Sequence, residues 1–150
     1  MKATFAAGCF WHVEDLFRKV KGVSSATSGY TGGAMPNPNY QDVCTDRTGH
    51  AEAVQVEYDP EQVSYDELLK VFWENHNPTT LNRQGPDVGT QYRSAIFFHD
   101  VEQEKTAKES MKNLQESIPE KKVVTEITPA KEFFKAEEYH QKYFEKQGLI

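Results

Sequence analysis

Apolar residues recur along the chain in two rhythms, one of period two and one of period three to four, and their alternation lays out the elements. Lys2 to Ala7 is a short, mostly apolar run of strand length. After it Val13, Leu16, Phe17 and Val20 fall on one face of a helix that begins near Cys9 and is stopped by Gly22. Val23 to Tyr30 is a weaker strand, running into Gly29-Tyr30-Thr31-Gly32-Gly33 and then into the turn-rich Met35-Pro36-Asn37-Pro38-Asn39. A helical turn is predicted around Tyr40 to Cys44, because the gap to the next strand is long for bare loop. Ala51 to Tyr58 alternates most cleanly, with Glu52, Val54, Val56 and Tyr58 on one side and Ala51, Ala53, Gln55 and Glu57 on the other; Pro60 ends it. Ser64-Tyr65-Asp66-Glu67 is a capping box, and Tyr65, Leu68, Leu69 and Phe72 make the buried stripe of a helix lasting to Asn75.

His76 to Gln91, rich in Asn, Pro, Gly and Thr, is expected to be a long loop. Tyr92 to His99 is an aromatic-rich strand. Asp100 to Ser117 is a helix lined by Ala107, Met111, Leu114 and Ile118, and Val123 to Ile127 is a further strand between Pro119 and Pro129. Phe133, Phe134, Tyr139 and Tyr143 stand among charges, which predicts a last helix or an ordered tail docked on the fold over Phe133 to Phe144. Strands and helices alternating with short returns predict the α+β class. The expected form is a two-layer sandwich with a mixed, largely antiparallel sheet, helices on one face and a ferredoxin-like core.

Composition narrows the setting. One hundred and fifty residues suit one domain, 1–150. Twenty-three acidic against seventeen basic residues give a net charge of -6, which offers no field for phosphates, so nucleic acid is not expected as a partner. A mean hydropathy of -0.73 and the lack of any long apolar run exclude a spanning helix, so no membrane partner is expected either. The start, Met1 to Trp11, fails as a secretory signal: its apolar stretch is broken by Thr4, lacks leucine and runs into His12, Glu14 and Asp15. The expected location is the cytoplasm. There two cysteines, Cys9 and Cys44, make no disulfide framework and point to metal binding, catalysis or burial.

Cys9 stands at a strand-to-helix junction, where unpaired N–H groups and the helix dipole favour thiolate and are expected to lower its pKa. Burial as a small hydrophobe is the alternative. Phe10 and Trp11 beside it form either an apolar wall or ordinary core. Period two places Glu52 on the apolar face, where a carboxyl group stays protonated more easily and can serve as a general acid; the alternative is a strand-end glutamate turned to water or paired with Arg47 or Arg93. Gly29 to Gly33 lacks the spacing of a phosphate loop. Cys9-x-x-His12 with Cys44-x5-His50 is a poor zinc pattern, its second spacing irregular and its first set among aromatic residues, so no metal is expected. His76, His99 and His140 show no ligand spacing and are expected at the surface or as caps.

Gly8-Cys9-Phe10-Trp11, Gly29-Tyr30-Thr31-Gly32-Gly33, Asn39-Tyr40-Gln41-Asp42-Val43-Cys44, Thr48-Gly49-His50-Ala51-Glu52-Ala53-Val54 and the run from Asn82 to Ser94 resemble, in order, motifs of the peptide methionine sulfoxide reductase A family. The resemblance extends from Lys2 to about Tyr143 and implies reduction of the S epimer of methionine sulfoxide, in oxidised proteins or peptides or as the free amino acid. It makes Cys9 the nucleophile, Glu52 the acid for the sulfoxide oxygen, Tyr40 and Tyr92 the phenols that hydrogen-bond to it, Phe10 and Trp11 the pocket for the S-methyl group, and Asp87 a polar residue arranging the site. It implies no bound cofactor. His12 stands where many members have glycine. Many members also carry resolving cysteines in a glycine-rich tail, whereas Glu145 to Ile150 holds none. A Cys9 sulfenic acid would then be resolved by an external thiol, thioredoxin or glutathione with glutaredoxin, with Cys44 as the internal alternative.

Overall fold

Phe5 and Val54, opposite each other on neighbouring strands, lie at the centre of the larger apolar cluster. The computed structural model describes residues 1–146. In chain order its elements are β1 (Lys2–Ala7), α1 (Phe10–Arg18), β2 (Val23–Thr31), α2 (Tyr40–Cys44), β3 (Ala51–Tyr58), α3 (Tyr65–Glu74), a ribbon of β4 (Arg83–Gln84) and β5 (Asp87–Val88), a 3-10 turn (Thr90–Tyr92), β6 (Ser94–Phe98), α4 (Val101–Ser117), β7 (Glu126–Pro129), β8 (Phe134–Lys135), a second 3-10 turn (Glu138–His140) and α5 (Tyr143–Lys146). The main sheet has the order β7-β6-β1-β3-β2-β8. Every pair in it is antiparallel except β6 with β7, which α4 connects. The inner order β6-β1-β3-β2, with α1 and α3 as crossovers, is the ferredoxin-like core of the expected α+β sandwich.

The two faces of the sheet are covered differently. On one, Ala3, Phe5, Tyr30, Val54, Val56 and Ile96 pack against Phe10, Val13 and Phe17 of α1 and Leu68, Leu69 and Phe72 of α3. Phe5 stacks on Phe17 with ring centroids 4.9 Å apart and meets Phe72 at 5.4 Å. Burying each such side chain contributes about 1.5–3 kcal/mol. The other face carries Ala6, Ala51, Ala53, Ala95 and Phe97, and there the cover is the returning chain at Ala130 and Phe133. Small side chains let that chain approach; a Cβ on Gly29 would lie 2.4 Å from the Phe133 ring.

The structure departs from the sequence reading at three places. The loop after α3 is not bare, since β4 and β5 pair within it. Tyr92 is not in a strand: Tyr92 and Arg93 donate their N–H groups to Gly89 and Thr90, closing a turn that delays β6 until Ser94, and β6 ends at Phe98 before His99. The strand after α4 begins at Glu126 instead of Val123, because Val124 donates its N–H to the Pro78 carbonyl, away from the ladder. Pro129, which has no N–H to give, is tolerated because β7 is an edge strand.

From Phe133 to Lys142 the tail is tied down on the fold. Glu14 of α1, only 1% exposed, accepts the Lys142 N–H at 2.7 and 3.0 Å and the Ser28 hydroxyl at 2.9 Å. The Gln141 amide accepts from the Ser28 N–H and donates to the Ser28 and Ala136 carbonyls, standing in for a strand neighbour. Among the described residues no helix is long and apolar enough to cross a membrane.

Candidate active site

Gly8, at a φ of +96°, turns the chain out of β1 and sets half-buried Cys9 at the N-terminus of α1. Glu52, opposite Tyr30 at the start of β3, reaches the same junction: it is 1% exposed, and its Oε1 accepts the Phe10 N–H at 3.3 Å. Its Oε2 accepts from the Gln91 side-chain amide, also at 3.3 Å. The same amide nitrogen lies 3.5 Å from the sulfur of Cys44. Neither arginine considered from the sequence is this partner. Arg93 is spent on Glu126 and on the Gly49 and Thr90 carbonyls, and Arg47 is exposed.

Two loops bring the phenols to this carboxyl group. Tyr40 opens α2, which Asn39 and Asp42 close as a capping box. Its N–H donates to Glu137 at 3.0 Å, and the other Glu137 oxygen accepts the Tyr30 hydroxyl at 2.9 Å. Tyr92 ends the turn after β5. Asp46, following α2, accepts the Thr90 N–H at 2.7 Å and the Thr90 hydroxyl, so the Tyr40 and Tyr92 loops are clamped together. The Tyr40 phenol faces Tyr92 and Cys44, and half-buried Asp87 is close enough to repel charge on Cys9, Glu52 and Tyr92.

Phe10 is fully buried behind the site, its ring 5.6 Å from Tyr30 and 5.1 Å from His140. Trp11 is half-buried. It stacks on Tyr143 at 3.7 Å, and its indole N–H donates to His140 Nδ1 at 2.8 Å. A ring nitrogen that accepts carries no proton, so His140 is neutral with its proton on Nε2; burial, which lowers its pKa, agrees. The expectation of a surface or capping His140 is therefore wrong: it is wholly buried among Phe10, Trp11 and Tyr40. Of the other two, His99 is exposed beside the Thr4 hydroxyl, whereas half-buried His76 bridges the Phe72 carbonyl and the Ser94 hydroxyl.

Burial pushes the Glu52 carboxyl up to about 7, with Asp87 adding and the Phe10 and Gln91 N–H groups pulling back. It also pushes the Cys9 thiol up, to about 11: the N–H groups of Trp11 and His12 lower it, but by less than burial raises it, and Glu52 and Asp87 raise it further. The expected lowering by the helix start is thus reversed by desolvation. Burial raises both phenols, Tyr92 to about 12, so they remain donors throughout the working range.

The zinc pattern is taken apart. His50 uses both ring nitrogens on the Gly33 N–H and the Met35 carbonyl, and among the described residues no group of three or more His, Cys, Asp or Glu is placed to hold a metal. Sequence reasoning missed Gln91, Glu137 and His140. The cluster of aromatic residues near the C-terminus was the one signal that could have pointed to the last two.

A family model described as peptide methionine sulfoxide reductase matches residues 1–149. The chain belongs to the peptide methionine sulfoxide reductase family. It is 61% identical over 146 residues to peptide methionine sulfoxide reductase MsrA of Methanothermobacter thermautotrophicus, covering 97% of this chain and 86% of the relative. Among solved structures, methionine sulfoxide reductase A of Corynebacterium diphtheriae superimposes with a TM-score of 0.95 at 39% identity, covering 99% of this chain and 76% of that one. Mxr1 of Saccharomyces cerevisiae in reduced form gives 0.92 at 37% identity, covering 100% of this chain and 87% of that one, and its complex with Trx2 gives 0.68 at 28%, covering 95% and 84%. Membership of the peptide methionine sulfoxide reductase family makes this chain a thiol-dependent oxidoreductase, and Cys9 and Cys44 are both free thiols.

Proposed function

We propose that this enzyme reduces the S epimer of methionine sulfoxide, in oxidised proteins and peptides or as the free amino acid, with residues 1–150 acting as one catalytic domain. The observation that carries the reading is the buried Glu52 carboxyl, poised near 7 at the foot of the helix that presents Cys9, with two phenols brought alongside. The resting pair is thiol and carboxylate, since the thiol holds its proton more tightly than the acid does. Moving that proton from Cys9 to Glu52 makes the reactive pair, a thiolate and a carboxylic acid.

The thiolate attacks the sulfoxide sulfur. Glu52 protonates the oxygen while Tyr40 and Tyr92 donate hydrogen bonds to it, which makes the sulfur electrophilic and lets the S–O bond break. The oxygen passes to Cys9. The substrate sulfur gains two electrons and leaves as the thioether, and Cys9, oxidised by two, becomes a sulfenic acid. One thiol converts the sulfenic acid to a disulfide with loss of water, and a second releases Cys9 by exchange. Phe10 and Trp11 surround the S-methyl group, and Asp87 arranges the polar side.

The reductant is external: a thioredoxin, which the yeast relative's complex with Trx2 supports, or glutathione with glutaredoxin. Cys44 beside Gln91 is the internal alternative. No bound cofactor, nucleic acid or membrane enters the reading, and the setting is the cytoplasm, where such thiols are maintained. Single-turnover analysis tests it. Reduced enzyme mixed with each epimer of a methionine sulfoxide peptide is expected to yield methionine from the S epimer alone, with one oxygen added to Cys9 by intact mass. Methionine from neither epimer, or turnover of hydrogen peroxide in its place, would overturn the reading.

A further inference from the structure

Glu52 is held by two N–H groups of different kinds. The Phe10 donor is a peptide N–H at the start of α1, fixed by the helix, and it occupies Oε1. The other oxygen, Oε2, is the atom the Gln91 amide reaches, at the same 3.3 Å. A hydroxyl oxygen accepts a hydrogen bond weakly and a carboxylate oxygen strongly, so this contact strengthens as the proton departs. Gln91 is well placed for it. The residue is 4% exposed, its turn is anchored through Thr90 to Asp46, and its second amide proton is taken by the Cys44 sulfur.

We infer that Gln91 is the positioning residue for the acid: its amide holds Oε2 and steadies the carboxylate left there once the proton has been transferred. This rests on the reading of Glu52 as the proton donor. The other titratable groups around Glu52 are Cys9 at the start of α1, Tyr30 of β2, Tyr40 and Cys44 of α2, Asp87 of β5 and Tyr92 beside Gln91 itself. Burial raises Cys9, Tyr30, Tyr40 and Tyr92, so these stay neutral where Glu52 titrates, and Asp87 opposes ionisation of Glu52.

The test is the pH profile of the single-turnover rate constant for methionine formation, with thiol recycling excluded. Gln91→Met keeps the side chain's length and removes the N–H. The acid limb is expected to move up by about one pH unit, the size of shift a lost hydrogen bond to a carboxylate produces. Gln91→Glu, of the same shape, sets a second carboxylate beside the first and is expected to move the limb up further, which gives an answer if the methionine variant does not fold. Cys44→Ala should leave the limb in place. An unmoved limb in folded Gln91→Met, or an equal shift in Cys44→Ala, overturns the inference. Glu52→Gln separates the two levels: if its rate still levels off near 7, that break is not Glu52's and the underlying reading fails instead.

Discussion

Glu14 and Glu52 are each 1% exposed, and their surroundings differ in what they offer a carboxyl group. Around Glu14, one peptide N–H approaches both oxygens, at 2.7 and 3.0 Å, and a serine hydroxyl adds a third bond at 2.9 Å. Around Glu52 there are two donors, both at 3.3 Å, with Asp87 and the Cys9 thiol as neighbours. Saturated with short bonds, the first fastens the C-terminal segment to α1. More loosely bonded and crowded by a like charge, the second can hold a proton near neutrality and release it. Each carboxyl group has two donors, so what separates them is the closeness of those donors and the like charge of Asp87 beside Glu52.

The sharpest way to break this contrast is Glu52→Gln. Single-turnover rates are expected to fall by about 10²–10⁴-fold, the usual worth of a positioned general acid, with the melting temperature little changed. The profile should change as well. With the acid near 7 and the thiol near 11, the fraction of enzyme in the reactive thiolate-and-acid form rises tenfold per pH unit below 7 and is level between the two values. In Glu52→Gln the level region should vanish, the remaining rate rising with pH toward ionisation of Cys9. Glu14→Ala is expected to do the reverse, destabilising the fold by about 2–4 kcal/mol by stranding two buried donors while leaving the pH profile in place. Thermal melts and the same rate assay check both variants, and an exchange of their outcomes would abolish the distinction.

Smaller changes sharpen it. Tyr40→Phe and Tyr92→Phe are each expected to slow methionine formation by about tenfold or somewhat more, with stability unaltered, since each phenol is half-buried and is asked to act only on the developing oxygen charge. Ser28→Ala removes one of the three bonds to Glu14 and should cost about 1 kcal/mol in a denaturant titration, with no effect on rate.

The frame was legible because it is local. Alternation in Ala51–Tyr58 and the Ser64 capping box both appear as expected, and alternation placed Glu52 on the face where it is found. What escaped is built by chain returning from far away. His140 is a core residue because it meets Trp11 across a sequence separation of 129, and Gln91 reaches Glu52 across 39. No period in either neighbourhood encodes such a meeting. The Cys9 thiol failed for a related reason: a helix start is visible in the sequence, but the low-dielectric surroundings that outweigh it come from several elements at once.

The latch from Glu14 to Lys142 also sets an order of events during synthesis. Cys9, Glu52 and Gln91 emerge early enough to meet while the chain is still growing, yet Trp11 has neither its stacking partner nor its hydrogen-bond acceptor until residues 140 to 143 have been made. Contacts of such long range are also the slowest to form in a free chain. A growing chain therefore holds Cys9, Glu52 and Gln91 before Trp11 is fixed, and the wall beside Cys9 is expected to be the last part of this junction to set.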